Sequence, residues 1–351
     1  MKRRWLLWAL AGVLLVVVLT RLAELEQLAA TLSQGRWPWV LAAALLQLGY
    51  YLAFAALYRA AFSAVGVSGR LLDLVPVVFG SLALTVALPS GGLSAAALFV
   101  DDAARRGQPA VRAAAGVLLV QVTQLGVFAL ILLAALVHLG ASHGLRRYQL
   151  AASALLLLFL SGMVGLLLLG AWRPATLRRV LAAAQRLADR LGGLLGRRRL
   201  LDDGWATRSA AEFAAAAQAT AARPGQIARM LGVALFGHCL NLATILALFP
   251  AFRAPVDLGA LVAGYAMGYL FAVVAITPLG IGVVEGVTAL AYTSLGVPPG
   301  PAAVISLAFR GLALWLPVVV GLALLRRLRS FGAEGAGRTL RQGRAGSGTR
   351  A

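Results

Sequence analysis

Apolar runs of about 20 residues, the length an α-helix needs to cross a bilayer core, recur along the chain, and two of the apolar stretches are broken by Pro and Gly. Of the 351 residues, 61% are apolar, which excludes a soluble globular domain. Full spans are expected at about 5–22, 37–58, 113–137, 149–171, 229–250 and 302–325. The fold class that follows is an all-α polytopic membrane protein with about six full spans.

The net charge is +20. Lys2 is the sole lysine and every other basic residue is Arg. The arginines cluster at the N-terminus, in the segment 172–228 and in the tail, as the positive-inside rule requires of cytoplasmic segments. Grooves for single-stranded nucleic acid need aromatics among the basic residues; these segments hold almost none, so no nucleic-acid partner is expected. The start, Met-Lys-Arg-Arg and an apolar run, is like a signal peptide, but Leu19-Thr20-Arg21-Leu22 is no cleavage site, so an uncleaved first helix is expected. Both termini are then inside. The lone Cys239 is expected to be a small buried apolar residue. Within 172–228, Leu177, Val180, Leu181, Ala184 and Leu187 follow helical spacing with Arg179, Arg186 and Arg190 opposite, the pattern of a surface helix on anionic headgroups. A second, Ala-rich helix is expected at 206–222.

The two breaks carry the functional signal. Residues 71–88 run into Leu88-Pro89-Ser90-Gly91-Gly92, and 258–277 run into Pro278-Leu279-Gly280-Ile281-Gly282, followed by Glu285. A break in hydrocarbon strands backbone N–H and C=O groups, which is tolerated only inside protein or beside a polar cavity. Both stretches are therefore expected to be re-entrant hairpins, the first from the inside, the second from the outside. The blocks 37–137 and 229–325 each become span, hairpin, span, inverted with respect to each other. Paired broken helices in inverted halves mark the midplane site of a transporter fold.

Glu285 is the strongest site candidate, since an acid in a span is costly unless paired or functional. It could take a cationic headgroup or a proton, or form a structural pair with Arg310, eight residues into the last span. Arg310 could take a lipid phosphate, and the two together could hold a zwitterionic headgroup. Pro89, Gly91, Gly92, Pro278, Gly280 and Gly282 would act by exposing helix ends to an anion. Asn241, His238, Tyr265 and Tyr269 are expected near the same cavity, with interhelical hydrogen bonding as their simplest use. Asp101, Asp102, Arg105 and Arg106 read as a solvated hairpin exit, and His138 and His143 as an external loop with too few ligands for a metal. No Gly-x-Ser-x-Gly, nucleotide-binding loop, His-Glu-x-x-His or Cys pair occurs, so neither catalysis nor a cofactor is expected.

With these breaks in view, the chain resembles the flippase-like transmembrane domain of bacterial lysylphosphatidylglycerol synthases, also found in stand-alone membrane proteins. The resemblance rests on Leu88–Gly92 with the charged exit from Asp101 to Gly107. It rests further on Pro278–Glu285, Leu295-Gly296-Val297-Pro298, Arg310, Trp315-Leu316-Pro317 and Gly321. Where the family often places a polar or acidic residue after the first glycines, this chain has Ser94-Ala95-Ala96. The resemblance implies a membrane domain over 1–329 in the bacterial inner membrane; the Gly/Arg-rich composition of 330–351 reads as a disordered basic tail. The resemblance also implies translocation or binding of an anionic or zwitterionic lipid, without the aminoacyltransferase domain. The expected partners are membrane lipids and a separate lipid-modifying enzyme. The alternatives are an intramembrane transferase acting on a lipid-linked donor, with Glu285 as its base, and a non-transporting subunit that recruits a partner through 172–228.

Overall fold

The computed structural model describes residues 30–87, 93–194, 204–274 and 282–324. The expected first span and the tail lie outside the described residues, as do Pro89, Gly91, Gly92, Pro278 and Gly280. The helices are α1 (Trp37–Ala64), α2 (Leu71–Ala87), α3 (Leu93–Arg105), α4 (Ala110–His143), α5 (Arg147–Trp172), α6 (Pro174–Leu194), α7 (Trp205–Ala221), α8 (Pro224–Ala251), α9 (Leu258–Val274), α10 (Val283–Ser294) and α11 (Pro299–Leu324). Among the described residues, five helices are long and apolar enough to cross a membrane, namely α1, α4, α5, α8 and α11. These are the five expected spans that fall within the described chain. The protein is an all-α, multi-pass membrane protein.

The expected repeat is visible turn by turn. Helices α1 and α8 are both 28 residues long, and each starts on a proline turn after an arginine, Arg36 or Arg223. Both end alike: Val67 N–H donates to the Phe62 carbonyl, and Ala254 N–H donates to the Phe249 carbonyl. The residue beyond each C-cap has a positive φ, Gly66 at 77° and Arg253 at 55°. Arg253 accepts a conformation that L side chains rarely adopt, a sign that the turn is fixed by its surroundings. Helices α2 and α9 then follow, each 17 residues long.

After the breaks the match resumes. Gly107 and Gly296 have φ of 76° and 88°. Gln108 N–H donates to the Ala103 carbonyl, and Val297 N–H donates to that of Tyr292. Pro109 and Pro298 then precede α4 and α11. Equivalent residues are thus 187 apart before the breaks (Trp37 with Pro224, Leu71 with Leu258) and 189 apart after them (Pro109 with Pro298). Helix neighbours repeat as well. α1 packs on α8, each hairpin arm packs on its partner arm, and the last helix of each half packs against the first arm of the other half, α4 on α9 and α11 on α2. Arg36 N–H bonds to the Ala251 carbonyl, start of α1 to end of α8, so the two run antiparallel. An antiparallel equivalent pair means that the halves are inverted.

Tyr51 shows how deep the equivalence goes. Pro317, inside α11, has no N–H for the carbonyl of Ala313. The Tyr51 hydroxyl from α1 donates to that carbonyl at 3.0 Å. The equivalent of Tyr51 on α8 is His238, and its Nε2 lies 3.2 Å from the Gln124 carbonyl of α4, the equivalent of Ala313. Tyr51→Phe is expected to destabilise the protein by about 1–3 kcal/mol, the cost of a stranded buried carbonyl, measured by thermal unfolding in detergent.

Several expectations need correction. Asp102 and Arg106 are not a solvated exit: the Asp102 side chain is 3% exposed and that of Arg106 is 13%. Arg106 pairs with Asp102 at 2.8 Å and with Asp73 at 3.2 Å, clamping the end of α3 to the start of α2. Charges a turn apart on one helix can face protein as easily as water, and the sequence does not say which. Asp101 and Arg105 do stay solvent-accessible, as expected of the exit, and pair with each other at 2.6 Å. His138 and His143 belong to α4 and not to a loop; the His138 ring packs against Gly259. Cys239 is exposed on α8. Helices α6 and α7 form as expected, but α7 is built in, with Ala206, Ala210, Phe213 and Ala217 buried in contacts with α4, α5 and α6. Leu177 of α6 is buried too, whereas Val180 and Leu187 remain exposed beside Arg179 and Arg186.

Most of the described arginines stand at one end. Arg59, Arg70, Arg105, Arg112, Arg173 and Arg223 stand at the helix ends that meet there, with the arginines of α6. Arg36, Arg146, Arg147 and Arg253 stand at the other.

Candidate functional site

A cavity of about 180 Å³ lies between the halves, where α1, α8, α9, α10 and α11 meet. Its walls include Asn241, Tyr265, Tyr269, Ser306, Phe309 and Arg310. A cavity of about 150 Å³ accommodates a benzene-sized group, so this one has room for a small chemical group only.

Glu285 and Arg310 meet at its edge, Arg310 Nε donating to Glu285 Oε1 at 3.2 Å. Their side chains are 22% and 14% exposed. Local sequence puts them there. Glu285 is the third residue of α10, and its Oε2 reaches back to accept the Gly282 N–H at 2.7 Å, as acids at this position of a helix do. Gly282 has a φ of 79°, which glycine adopts freely. Ser306 and Arg310 are four apart and share a face of α11. From that face the Ser306 hydroxyl donates to the Glu285 carbonyl at 3.0 Å. One residue of α10 is thus held by α11 through both backbone and side chain.

The equivalents of Glu285 and Arg310 in the first half are Ala96 and Gln121. That half forms the same arms and closing turn without a charge pair at this place. Its buried clamp, Asp102–Arg106, is instead at the hairpin's far end, where the second half has Ala291 and Leu295.

The opposite wall is a hydrogen-bonded chain. Asn241 Nδ2 donates to the Tyr265 oxygen at 3.4 Å, and that hydroxyl lies 2.6 Å from His238 Nδ1. A carbonyl can only accept, so His238 Nε2 carries the proton toward Gln124. Nδ1 is then the acceptor and the Tyr265 hydroxyl the donor. His238 is wholly buried, with Tyr269 and Phe128 packed around it.

The wall is thin where glycines let helices touch. A Cβ on Gly264 would stand 2.0 Å from the Tyr292 ring, and one on Gly268 would stand 2.5 Å from Thr288 Oγ1. The spacing Gly264-x-x-x-Gly268 brings α9 against α10 as small residues do between membrane helices. Sequence reasoning missed these glycines, although their spacing is legible.

The structure therefore brings together Glu285, Arg310, Asn241, Tyr265, Tyr269 and Gly282. His238 stands behind Tyr265. Among the described residues, no group of His, Cys, Asp and Glu could hold a metal. Gln47, Tyr50 and Tyr51, which sequence reasoning did not name for the site, also line the cavity.

No curated protein matches the chain. A family model, the lysylphosphatidylglycerol synthase TM region, matches residues 6–321. The match takes in both repeats and the cavity between them, and the chain belongs to that family.

Proposed function

We propose that the protein binds the polar headgroup of an anionic or zwitterionic membrane lipid in the cavity between its halves and carries it from one leaflet to the other. The observation that carries this reading is the Arg310–Glu285 pair at the cavity's edge, present in one half and replaced by Ala96 and Gln121 in the other. The architecture forms without the pair in the first half, so folding alone does not account for it. An acid and a guanidinium side by side offer both charges of a zwitterion a partner.

In this reading both hairpins are re-entrant. Their longer arms, 17 residues each, span about 25 Å against a core of about 30 Å. The membrane is the bacterial inner membrane, and the arginine-rich end faces the cytoplasm by the positive-inside rule. Family membership supports a lipid-related role.

The test is leaflet exchange: purified protein in liposomes with fluorescent phosphatidylglycerol or phosphatidylethanolamine, read by dithionite quenching. The expected result is exchange of either lipid well above protein-free liposomes. Exchange at the protein-free rate with both lipids would overturn the reading.

A further inference from the structure

We propose that a second lipid site, separate from the central cavity, lies at the arginine-rich end of the bundle. It takes the phosphate of an anionic phospholipid on Arg112 and the end of one acyl chain in an apolar cavity behind it. That cavity encloses about 140 Å³ and is walled by Val65, Ala115, Leu119, Leu167, Ala217 and Ile227, which come from α4, α5, α7, α8 and the end of α1. It shares no wall residue with the central cavity. An apolar cavity of about 150 Å³ stays dry and takes a benzene-sized apolar group, so this one takes a few methylenes of chain. Leu168 and Ala221 also line it and are exposed, so the cavity reaches the outer surface of the bundle.

Arg112 sits in the first turn of α4, one turn before Ala115 on the same face. Its Nη1 lies 3.7 Å from where a Cβ on Gly66 would stand, beside the Val65 corner of the cavity wall. Arg112 Nε is buried and has no hydrogen-bond partner among the described residues. A buried guanidinium N–H without an acceptor points to an anion. Gln226 Oε1, next to Ile227, is likewise buried and unpaired among the described residues. The cavity walls carry no carboxylate. Arg59, Arg173 and Arg223 stand at the same end, and α4 and α8 both start there, so the local field favours an anion. An inorganic anion would satisfy Arg112 but leave the apolar cavity empty; a phospholipid fills both.

The test is native mass spectrometry of the full chain in detergent with added dioleoyl phosphatidylglycerol, dioleoyl phosphatidylcholine or inorganic phosphate. Beyond any lipid in the central cavity, the wild-type chain is expected to retain one further phosphatidylglycerol in preference to phosphatidylcholine. Arg112→Gln and the cavity-filling Ala217→Leu are each expected to weaken retention at least tenfold. Arg112→Lys, which keeps the charge, is expected to stay within about threefold of wild type, so a folding defect at this position reads differently from a lost contact. The same variants are also compared in the Arg310→Gln background, which takes away the central cavity's anion partner, so that lipid still retained there reports on this site, and failure of the central-cavity reading and failure of this one are told apart. Equal retention by wild type, Arg112→Gln and Ala217→Leu would overturn the proposal. So would equal retention of the two lipids, or displacement of the lipid by millimolar inorganic phosphate, which would mark a simple ion site.

Discussion

A Glu285→Gln protein is expected to exchange lipid between leaflets at least tenfold more slowly than the wild-type chain, and to be less stable. Glutamine keeps an oxygen for the Gly282 N–H, so the cap of α10 survives and the loss falls on the pair. Removing one partner of a fully buried ion pair costs about 3–5 kcal/mol. Here the side chains keep 22% and 14% of their exposure, so about 1–3 kcal/mol is the reasonable expectation after solvent screening. The Glu285→Gln/Arg310→Gln protein removes the stranded charge. It is expected to regain most of the stability, measured as thermal unfolding in detergent, while its exchange stays as slow as that of the single variant. That split separates the pair's two uses. A double variant that regained both stability and exchange would make the pair structural alone.

The second large effect is expected at Gly264. The Tyr292 ring is fully buried and packs edge-on against Phe249 at 5.6 Å between centroids. A Cβ at Gly264 would stand 2.0 Å from that ring, so Gly264→Ala must displace it or part α9 from α10. Overpacking of this kind costs about 1–3 kcal/mol, sometimes more, and the upper end is expected because the ring has nowhere to go. Tyr292→Ala alone leaves a cavity and costs about 3–5 kcal/mol. The double variant is expected to fall short of the summed costs by more than about 1 kcal/mol, because each change relieves the other. Additive costs in thermal unfolding would show that the two residues do not constrain each other. At Gly268 a milder loss is expected, since the atom in the way is the Thr288 hydroxyl.

Much of this was legible in the sequence because bilayer length and helix breakers act locally. Apolar runs placed the spans, and Pro and Gly marked the stretches between α2 and α3 and between α9 and α10, read as breaks at 89–92 and 278–282. The repeat was visible only as a matching order of elements; its proof lies in capping turns such as Phe62–Val67 and Phe249–Ala254, whose sequences share little. Glu285 and Arg310 were legible as a pair because charges in spans are rare and need partners. The Asp102–Arg106–Asp73 clamp was not, because burial of a charged turn depends on which neighbours pack over it. Interhelical hydrogen bonding among Asn241, His238 and Tyr265 was legible, but not which of them pair, because that depends on how α8 and α9 are rotated. The Ala face of α7 was legible as a helix but not as core, since alanine suits lipid, protein and water alike.

The most direct test of the central cavity is where a lipid headgroup sits. Phosphatidylethanolamine carrying a photoactivatable diazirine on its headgroup would be reconstituted with the protein, cross-linked, and the adducts mapped by peptide mass spectrometry. Adducts are expected on the segments that line the cavity, around Asn241, Tyr265 and Ser306–Arg310, and are expected to fall sharply in Arg310→Gln. Adducts confined to the outward face of α5, where Leu155, Leu158 and Phe159 are exposed, and unchanged in Arg310→Gln, would contradict a headgroup site between the halves.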